Sequence, residues 1–354
     1  MRPMEEFFNQ KRVLLTGNTG FKGSWMQSLL QRLGAECIGF SNNTEQIFFN
    51  LLPFKEQTII GDINNFEEIN SCIESFKPEI IIHMAAQSLV QQSYLDPFET
   101  YLTNVLGTMN VLRSSSKKDF IKSLCIVTSD KCYENNETGV PYIETDYLGG
   151  NDIYSSSKAC CEILVKSYTN SILSMDNPHT KVVSVRAGNV IGGIDMSLNR
   201  LVPDIYRSRS NNNILQIRNP SSTRPWQHVL DPLWGYLCAI RESYNSLLLF
   251  DCYNFGPEIE SNKTVLEVVE AFSKVFTDLK YAESFAKDQY KESSLLSLDS
   301  SKAKNNLNWK PLLNFSESIR LTANGYQAYS ISNEAFVAEM HKQIEDYISL
   351  AYGT

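Results

Sequence analysis

The chain has 354 residues, 42% of them hydrophobic, and a formal net charge of −8. That length buries a sizeable core in one large domain or two, and the acidic balance argues against a dominant basic face for nucleic acid while leaving room for a local phosphate site. No apolar run is long enough for a membrane span, and the start, Met1-Arg-Pro-Met-Glu-Glu-Phe-Phe8, lacks the charged-then-apolar pattern of a secretory signal; a soluble, cytoplasmic protein is expected.

Along the chain, Val13–Thr16 reads as a buried strand followed by a helix from about Gly20 to Leu33. Strands are expected at Cys37–Phe40 and at Thr58–Ile60, which ends on Gly61-Asp62, then a helix at Phe66–Phe76 and a strand at Ile80–His83. The next helix starts at Pro97 with Asp96 as its cap. A strand at Leu124–Val127, a long helix at Asp152–Ser174 and a strand at Val182–Val185 complete the regular part. Strands that alternate with helices imply an α/β fold, a Rossmann-type doubly wound parallel sheet with right-handed crossovers.

Beyond Gly188 the pattern loosens. Gly192-Gly193, Asn211–Asn213 and Asn219–Ser222 mark loops. Helices at Val229–Glu242 and Thr264–Phe276 flank a strand at Leu248–Phe250, and the tail from Ser300 is helical with turns at Asn308–Pro311. Residues 1–190, with returning segments near 225–255, are expected to form the sheet domain, and 191–354 mainly a smaller, interleaved C-terminal domain. The eight cysteines, at 37, 72, 125, 132, 160, 161, 238 and 252, form no Cys-x-x-Cys pair and there are only four histidines. No metal site is expected on that spacing; reduced, mostly buried thiols are.

Gly17-Asn-Thr-Gly20-Phe-Lys-Gly23 directly follows the first strand and opens a helix. Glycines there allow a tight turn and let backbone approach a pyrophosphate, while the helix N-terminus offers free N–H groups. Gly17, Thr19, Gly20, Phe21, Lys22 and Gly23 are therefore read as dinucleotide-binding. The end of the second strand, Gly39-Phe-Ser-Asn-Asn43, carries neither the acidic residue that binds ribose hydroxyls nor an Arg for a 2′-phosphate, so it does not distinguish NAD from NADP. Asp62, beside Ile63, reads either as a partner of the adenine amine or as a turn residue before Asn64. Ala85 and Ala86 are small enough to pass close to a cofactor.

Tyr154-Ser-Ser-Ser-Lys158 places a phenol and an amine one helical turn apart. An ammonium and a cationic nicotinamide favour the phenolate, so Tyr154 is read as a general base, with Lys158 also holding the nicotinamide ribose. Ser129, just past a strand, would bridge Tyr154 and a substrate oxygen. Asp130 and Lys131 follow at the carboxyl end of a parallel strand, where ligands bind. Alcohol oxidation needs no second acid/base pair, so this pair points to dehydration; the bland reading is a solvated turn.

These residues carry a family likeness. The chain resembles the nucleotide-sugar dehydratases of the extended short-chain dehydrogenase/reductase superfamily, and within them the CDP-glucose branch. The likeness runs through Thr16–Trp25, His83–Gln87, Ser93–Pro97, Thr103–Thr108, Thr128–Glu134, Leu148–Lys158, Arg186–Gly193 and Arg224–Val229. Related dehydratases usually carry a Glu where Lys131 stands, and 4-epimerases usually lack the Asp as well.

The resemblance implies NAD as cofactor and CDP-glucose as substrate, turned over through C4 oxidation, C5–C6 elimination and hydride return to C6. Asp130 would protonate the leaving hydroxyl, and Lys131 would either remove the C5 proton or stabilise the enolate. Ile63 and Asn104 join the cofactor set by the same likeness. Gln87, Ser129, Asn189, Leu201, Arg218, Arg224 and His228 form the substrate set, with Arg224 suited to a diphosphate because guanidinium binds phosphate oxygens in pairs. His228 reads by its residues rather as a packed or capping histidine, and His83 as structural. A homodimer or dimer-based tetramer, paired through Pro97–Ser116 and Asp152–Ser174, and a place in deoxysugar biosynthesis for lipopolysaccharide O-antigen are further implications. Gly192-Gly-Ile-Asp-Met196 departs from the family's Gly-Gly-Gly-Asp-Trp, Gln91-Gln92 stands where basic residues are common, and Asn324-Gly-Tyr326 replaces a Trp-Tyr ending. The alternatives are a 4-epimerase, a dehydratase of another nucleotide-sugar, and a non-catalytic cofactor-sensing protein.

Overall fold

The computed structural model describes residues 2–284 and 295–353. Seven strands, β1 (Arg12–Thr16), β2 (Glu36–Ser41), β3 (Thr58–Ile60), β4 (Ile80–His83), β5 (Ser123–Val127), β6 (Lys181–Ala187) and β7 (Phe250–Phe255), form one sheet in the order β7-β6-β5-β4-β1-β2-β3. Every neighbouring pair is parallel, with Thr16 opposite His83 and Phe40 at the β1–β2 and β1–β4 junctions. The order reverses between β1 and β4, and such a switch point opens a crevice at the carboxyl ends of the strands.

The central strands carry apolar side chains toward both faces because both faces of the sheet are covered there, while the edge strand β3 leaves Ile59 and Ile60 exposed. Val13, Leu15, Ile80, Ile82, Val183 and Val185 point to one side, where Trp25, Leu29, Leu233 and Leu237 meet them. Leu14, Ile81, Leu124, Ile126 and Val182 point to the other, against Ile69, Ile73, Val111 and Val165. The two-residue alternation of a strand thus feeds two cores at once.

The helices sit where caps and periodicity place them. α1 (Phe21–Arg32) follows the glycine-rich turn, and α2 (Phe66–Phe76) is capped by the Asn65 side chain and stopped by Lys77 at φ 51°. The helix expected from Pro97 does start there, its Asp96 cap accepting from the Glu99 N–H at 2.9 Å, but it widens into a π-helical turn at Leu102–Leu106 before α3 (Gly107–Ser115). α4 (Ile153–Tyr168) is capped by Asp152. α5 (Leu201–Ser210) is a helix the sequence did not announce; its arginines and serines hide an apolar stripe of Val202 and Ile205. α6 (Leu230–Asn245), α7 (Val265–Val275), α8 (Phe315–Ile331) and α9 (Asn333–Tyr352) follow, with capping boxes opening α7 and α8.

The strand expected at Leu248–Phe250 lies later, at β7. Leu247 and Leu248 are exposed, and pairing begins with Phe250 opposite Val182. Short parallel strands at Ile214–Ile217 and Lys280–Glu283 were not expected. All eight cysteines are free, six of them buried. Among the described residues no helix is long and apolar enough to cross a membrane.

Candidate active site

A cavity of about 1110 Å³ opens at the carboxyl ends of the strands. That exceeds the roughly 300–1,000 Å³ of a single small-molecule site, and it is walled by the β1–α1 turn, the ends of β2 to β6, α4 and the 195–226 region.

The floor is the glycine-rich turn. Gly17 lies at φ +73° and donates its N–H to Phe40 O at 2.8 Å; a Cβ there would fall 2.7 Å from Ala85 N. At Gly23 a Cβ would fall 2.1 Å from Gly17 O. Only hydrogen at both positions lets the turn fold this tightly. Gly20 caps α1, so the helix N-terminus, the favourable end for an anion, faces the cavity. Thr19 is fixed by a 2.7 Å hydrogen bond between its hydroxyl and that of Ser41. This cradle fits a dinucleotide diphosphate. Asp62 serves both readings: its carboxylate holds its own turn through the Asn64 N–H and accepts from the Asn42 amide, and it also lines the cavity, as do Ile63, Ala85 and Ala86.

The reactive groups come from two elements. Ser129 caps a short turn at Asp130–Cys132; its hydroxyl donates to Asp130 Oδ1 at 3.0 Å and accepts from the Lys131 N–H at 3.2 Å. Asp130 is buried against Gly188, where a Cβ would lie 3.2 Å from its Oδ2, and Lys131 Nζ stands 3.9 Å from its Oδ1. From α4 come Tyr154 and Lys158, with the Lys158 ammonium 6.0 Å from the Tyr154 ring centre. Ser129, Asp130, Lys131, Tyr154 and Lys158 all line the one cavity.

Burial pushes the Tyr154 phenol up to about 12, against the opposing effect of its hydrogen bond with Ser129. Burial likewise lowers Lys158. Lys22 projects across the site to donate to the Tyr236 hydroxyl at 3.0 Å; burial, with the Arg200 and Lys158 cations nearby, lowers it to about 7.

Of the expected substrate set, Asn189, Leu201, Arg218 and Arg224 line the cavity with Ser129. Three expected residues do not. Gln87 and Asn104 brace each other behind the wall: Asn104 Oδ1 accepts from the Gln87 N–H at 2.9 Å and its amide donates to Gln87 O and to the Ser157 hydroxyl. His228 is a core residue, fully buried, its ring edge-on to Trp25 and its basicity lowered to about 3 by burial. His83 is also buried, between the Thr16 and Thr108 hydroxyls. Sequence reading passed over Arg200, which lines the cavity and reaches Asp195 at 3.4 Å and Ser88 at 3.5 Å; an arginine in a loop carries no spacing signal.

Residues 14–322 match the family described as GDP-mannose 4,6 dehydratase. The chain is 40% identical to the CDP-glucose 4,6-dehydratase of Salmonella typhimurium over 353 residues, 98% of either chain. Its fold is similar to that of the Thermus thermophilus UDP-glucose 4-epimerase solved with NAD, at TM-score 0.78 and 24% identity over 89% of this chain and 99% of that one. The Bacillus anthracis dTDP-glucose 4,6-dehydratase, also in complex with NAD, matches at TM-score 0.74 and 23% identity over 93% and 99%.

Proposed function

The chain belongs to the GDP-mannose 4,6 dehydratase family of nucleotide-sugar enzymes, and from that membership we propose that it is an NAD-dependent hydro-lyase converting CDP-glucose to CDP-4-keto-6-deoxyglucose and water. The observation that carries the reading is the shared wall of the cavity: Asp130 and Lys131 stand beside Ser129, Tyr154 and Lys158. A simple oxidoreductase or an epimerase needs only the last three. CDP-glucose as substrate is supported by the relative at 40% identity, and NAD by the glycine cradle and by the similar folds of the epimerase and dehydratase solved with NAD.

Held on Gly17–Gly23, NAD would supply an acceptor for the C4 hydride and return that hydride to C6 as C5 regains a proton, so the cycle would consume no net cofactor. Tyr154 takes the proton from sugar O4, with Ser129 aligning the two oxygens and Lys158 supporting the phenolate. The ketone so formed at C4 acidifies C5–H. Lys131 takes that proton or stabilises the enolate, and Asp130 gives a proton to the C6 hydroxyl, which leaves as water. Arg218 and Arg224 hold the diphosphate, and Asn189 and Leu201 position the nucleotide-sugar. In this division residues 1–190, with 225–255, hold the dinucleotide, and the remainder of 191–354 holds the substrate.

We also read the protein as a cytoplasmic homodimer or dimer-based tetramer acting in deoxysugar synthesis for lipopolysaccharide O-antigen. Exposed apolar side chains on the 97–115 and α4 helices, Phe98 at 75%, Leu106 at 53% and Ile163 at 56%, support the pairing. The test is to incubate the pure protein with a panel of nucleotide-sugars. Loss of one water from CDP-glucose by mass spectrometry is expected; an isobaric product would favour a 4-epimerase instead.

A further inference from the structure

Resting on the dehydratase reading, we propose that Glu162 is a positioning residue for the elimination step: its carboxylate, with Arg186, anchors both flanks of the Ser129–Cys132 turn to the helix that carries Tyr154 and Lys158.

Tyr154, Lys158 and Glu162 are four residues apart on α4 and share one face. The first two line the cavity and the third lies one turn deeper, away from it. Its carboxylate is 1% exposed and meets three hydroxyl or guanidinium donors from two strands. Thr128 Oγ1 donates to Oε1, while Ser184 Oγ and Arg186 Nη2 donate to Oε2 at 2.8 and 2.7 Å. Thr128 is the residue immediately before the turn. On the far side Arg186 Nη1 donates to the Tyr133 hydroxyl at 2.7 Å and to Glu144 O at 3.2 Å, and Tyr133, immediately after the turn, donates onward to Asn254 at 2.7 Å. One buried ion pair therefore ties down residues 128 and 133.

The turn has little of its own to fix it. Its internal bonds are Cys132 N to Ser129 O at 3.3 Å, Lys131 N to the Ser129 hydroxyl at 3.2 Å and the Ser129–Asp130 contact. Meanwhile it must hold Asp130 and Lys131 in register with groups on a separate helix. A buried ion pair adds little net stability over an apolar pair of similar volume, so stability alone gives weak grounds for one here. Misplacement of about 1 Å costs on the order of 10²-fold in rate when two groups must meet a substrate together. Glu162 touches no cavity surface, so it acts through the turn.

Replacing Glu162 itself would strand the buried Arg186 cation and destabilise the fold as a whole. The sharper probe is Thr128→Val, isosteric, which removes only the hydroxyl that links the turn to the carboxylate. With CDP-glucose in a single turnover, Thr128→Val should complete C4 oxidation but stall at elimination. Reduced cofactor then builds up at its absorbance band, and steady-state kcat falls about 10-fold with KM unchanged. Without any ligand, the amides of residues 129–132 should exchange hydrogen faster than in the wild type. Ser184→Ala removes a bond to the same carboxylate but not the link to the turn, and should leave the partition unaltered. A folded Thr128→Val protein with wild-type partition and exchange overturns the proposal, as does a Ser184→Ala protein with the same stall. The wild-type arm tests the reading beneath it: if that arm releases no water from the nucleotide-sugar, it is the dehydratase assignment that fails.

Discussion

Replacing Asp231 with Asn should make the protein more stable at alkaline pH and leave it nearly unchanged at acidic pH. Asp231 sits in the first turn of α6, fully buried, and its Oδ1 accepts from the Leu312 N–H and the Tyr347 hydroxyl, both at 2.8 Å, tying α6 to the C-terminal helix α9. Oδ2 meets no hydrogen-bond partner among the described residues. Burial raises the carboxyl from its ordinary 3.8 to about 7, hydrogen bonds from Leu312, Tyr347 and Leu313 opposing it. A carboxyl raised in the folded state contributes stability that is fully present below its unfolded value and is lost as pH climbs through the folded value. Each pH unit between about 4 and 7 therefore costs the wild type about 1.4 kcal/mol, on the order of 4 kcal/mol in all. An Asn keeps both accepted bonds at Oδ1 and carries no charge. Unfolding free energies from denaturant titration at a series of pH values give the difference between variant and wild type, in which every other titrating group cancels. That difference should be small near pH 4 and grow by about 4 kcal/mol toward pH 8. A pH-independent difference, or one that shrinks as pH rises, refutes the buried-carboxylate argument.

Lys131→Met should oxidise substrate at C4 and then stall, so that reduced cofactor accumulates on addition of CDP-glucose; unaltered turnover in a stopped-flow absorbance trace would reject a role for Lys131 in elimination. Gly23→Ala drives a Cβ into the Gly17 carbonyl, now 2.1 Å from where it would sit. It should cost about 1–3 kcal/mol of stability and most of the cofactor affinity, seen by fluorescence titration with NADH, and wild-type affinity would discredit the cradle. Phe98→Asp, on an apolar side chain that is 75% exposed, should shift the protein toward monomer in light scattering; an unchanged mass would place the interface elsewhere.

The parallel sheet was readable because strands buried on both faces are apolar almost throughout, a signal that needs no tertiary context. Ile80–His83 and Thr58–Ile60 lie where their composition puts them. β7 slipped because the Leu247–Leu249 run, exposed at Leu247 and Leu248, looks more like a strand than the mixed Phe250–Phe255 that actually pairs with β6. α5 was missed because its buried stripe is thin and arginines and serines fill much of the rest of its surface. The grouping of Ser129, Asp130, Lys131, Tyr154 and Lys158 rested on elements whose order in a doubly wound fold brings them to one edge. Sequence could not give the electrostatics: the Tyr154 phenol moves up through burial, the opposite of what its neighbouring lysine alone suggests. Nor could it tell a wall residue from one just behind the wall, which is why Gln87, Asn104 and His228 lie off the cavity. The left-handed Ile194, at φ 52°, is buried in the main core; burial of its side chain offsets the roughly 1–2 kcal/mol of that backbone conformation.

The most direct test of a redox-neutral dehydration is the fate of the hydrogen on sugar C4. CDP-glucose carrying deuterium at C4 should yield a product that has lost one water and bears the deuterium at C6, with no net change in bound cofactor. Deuterium retained at C4 in a product of unchanged mass, or lost from the sugar altogether, would contradict the account.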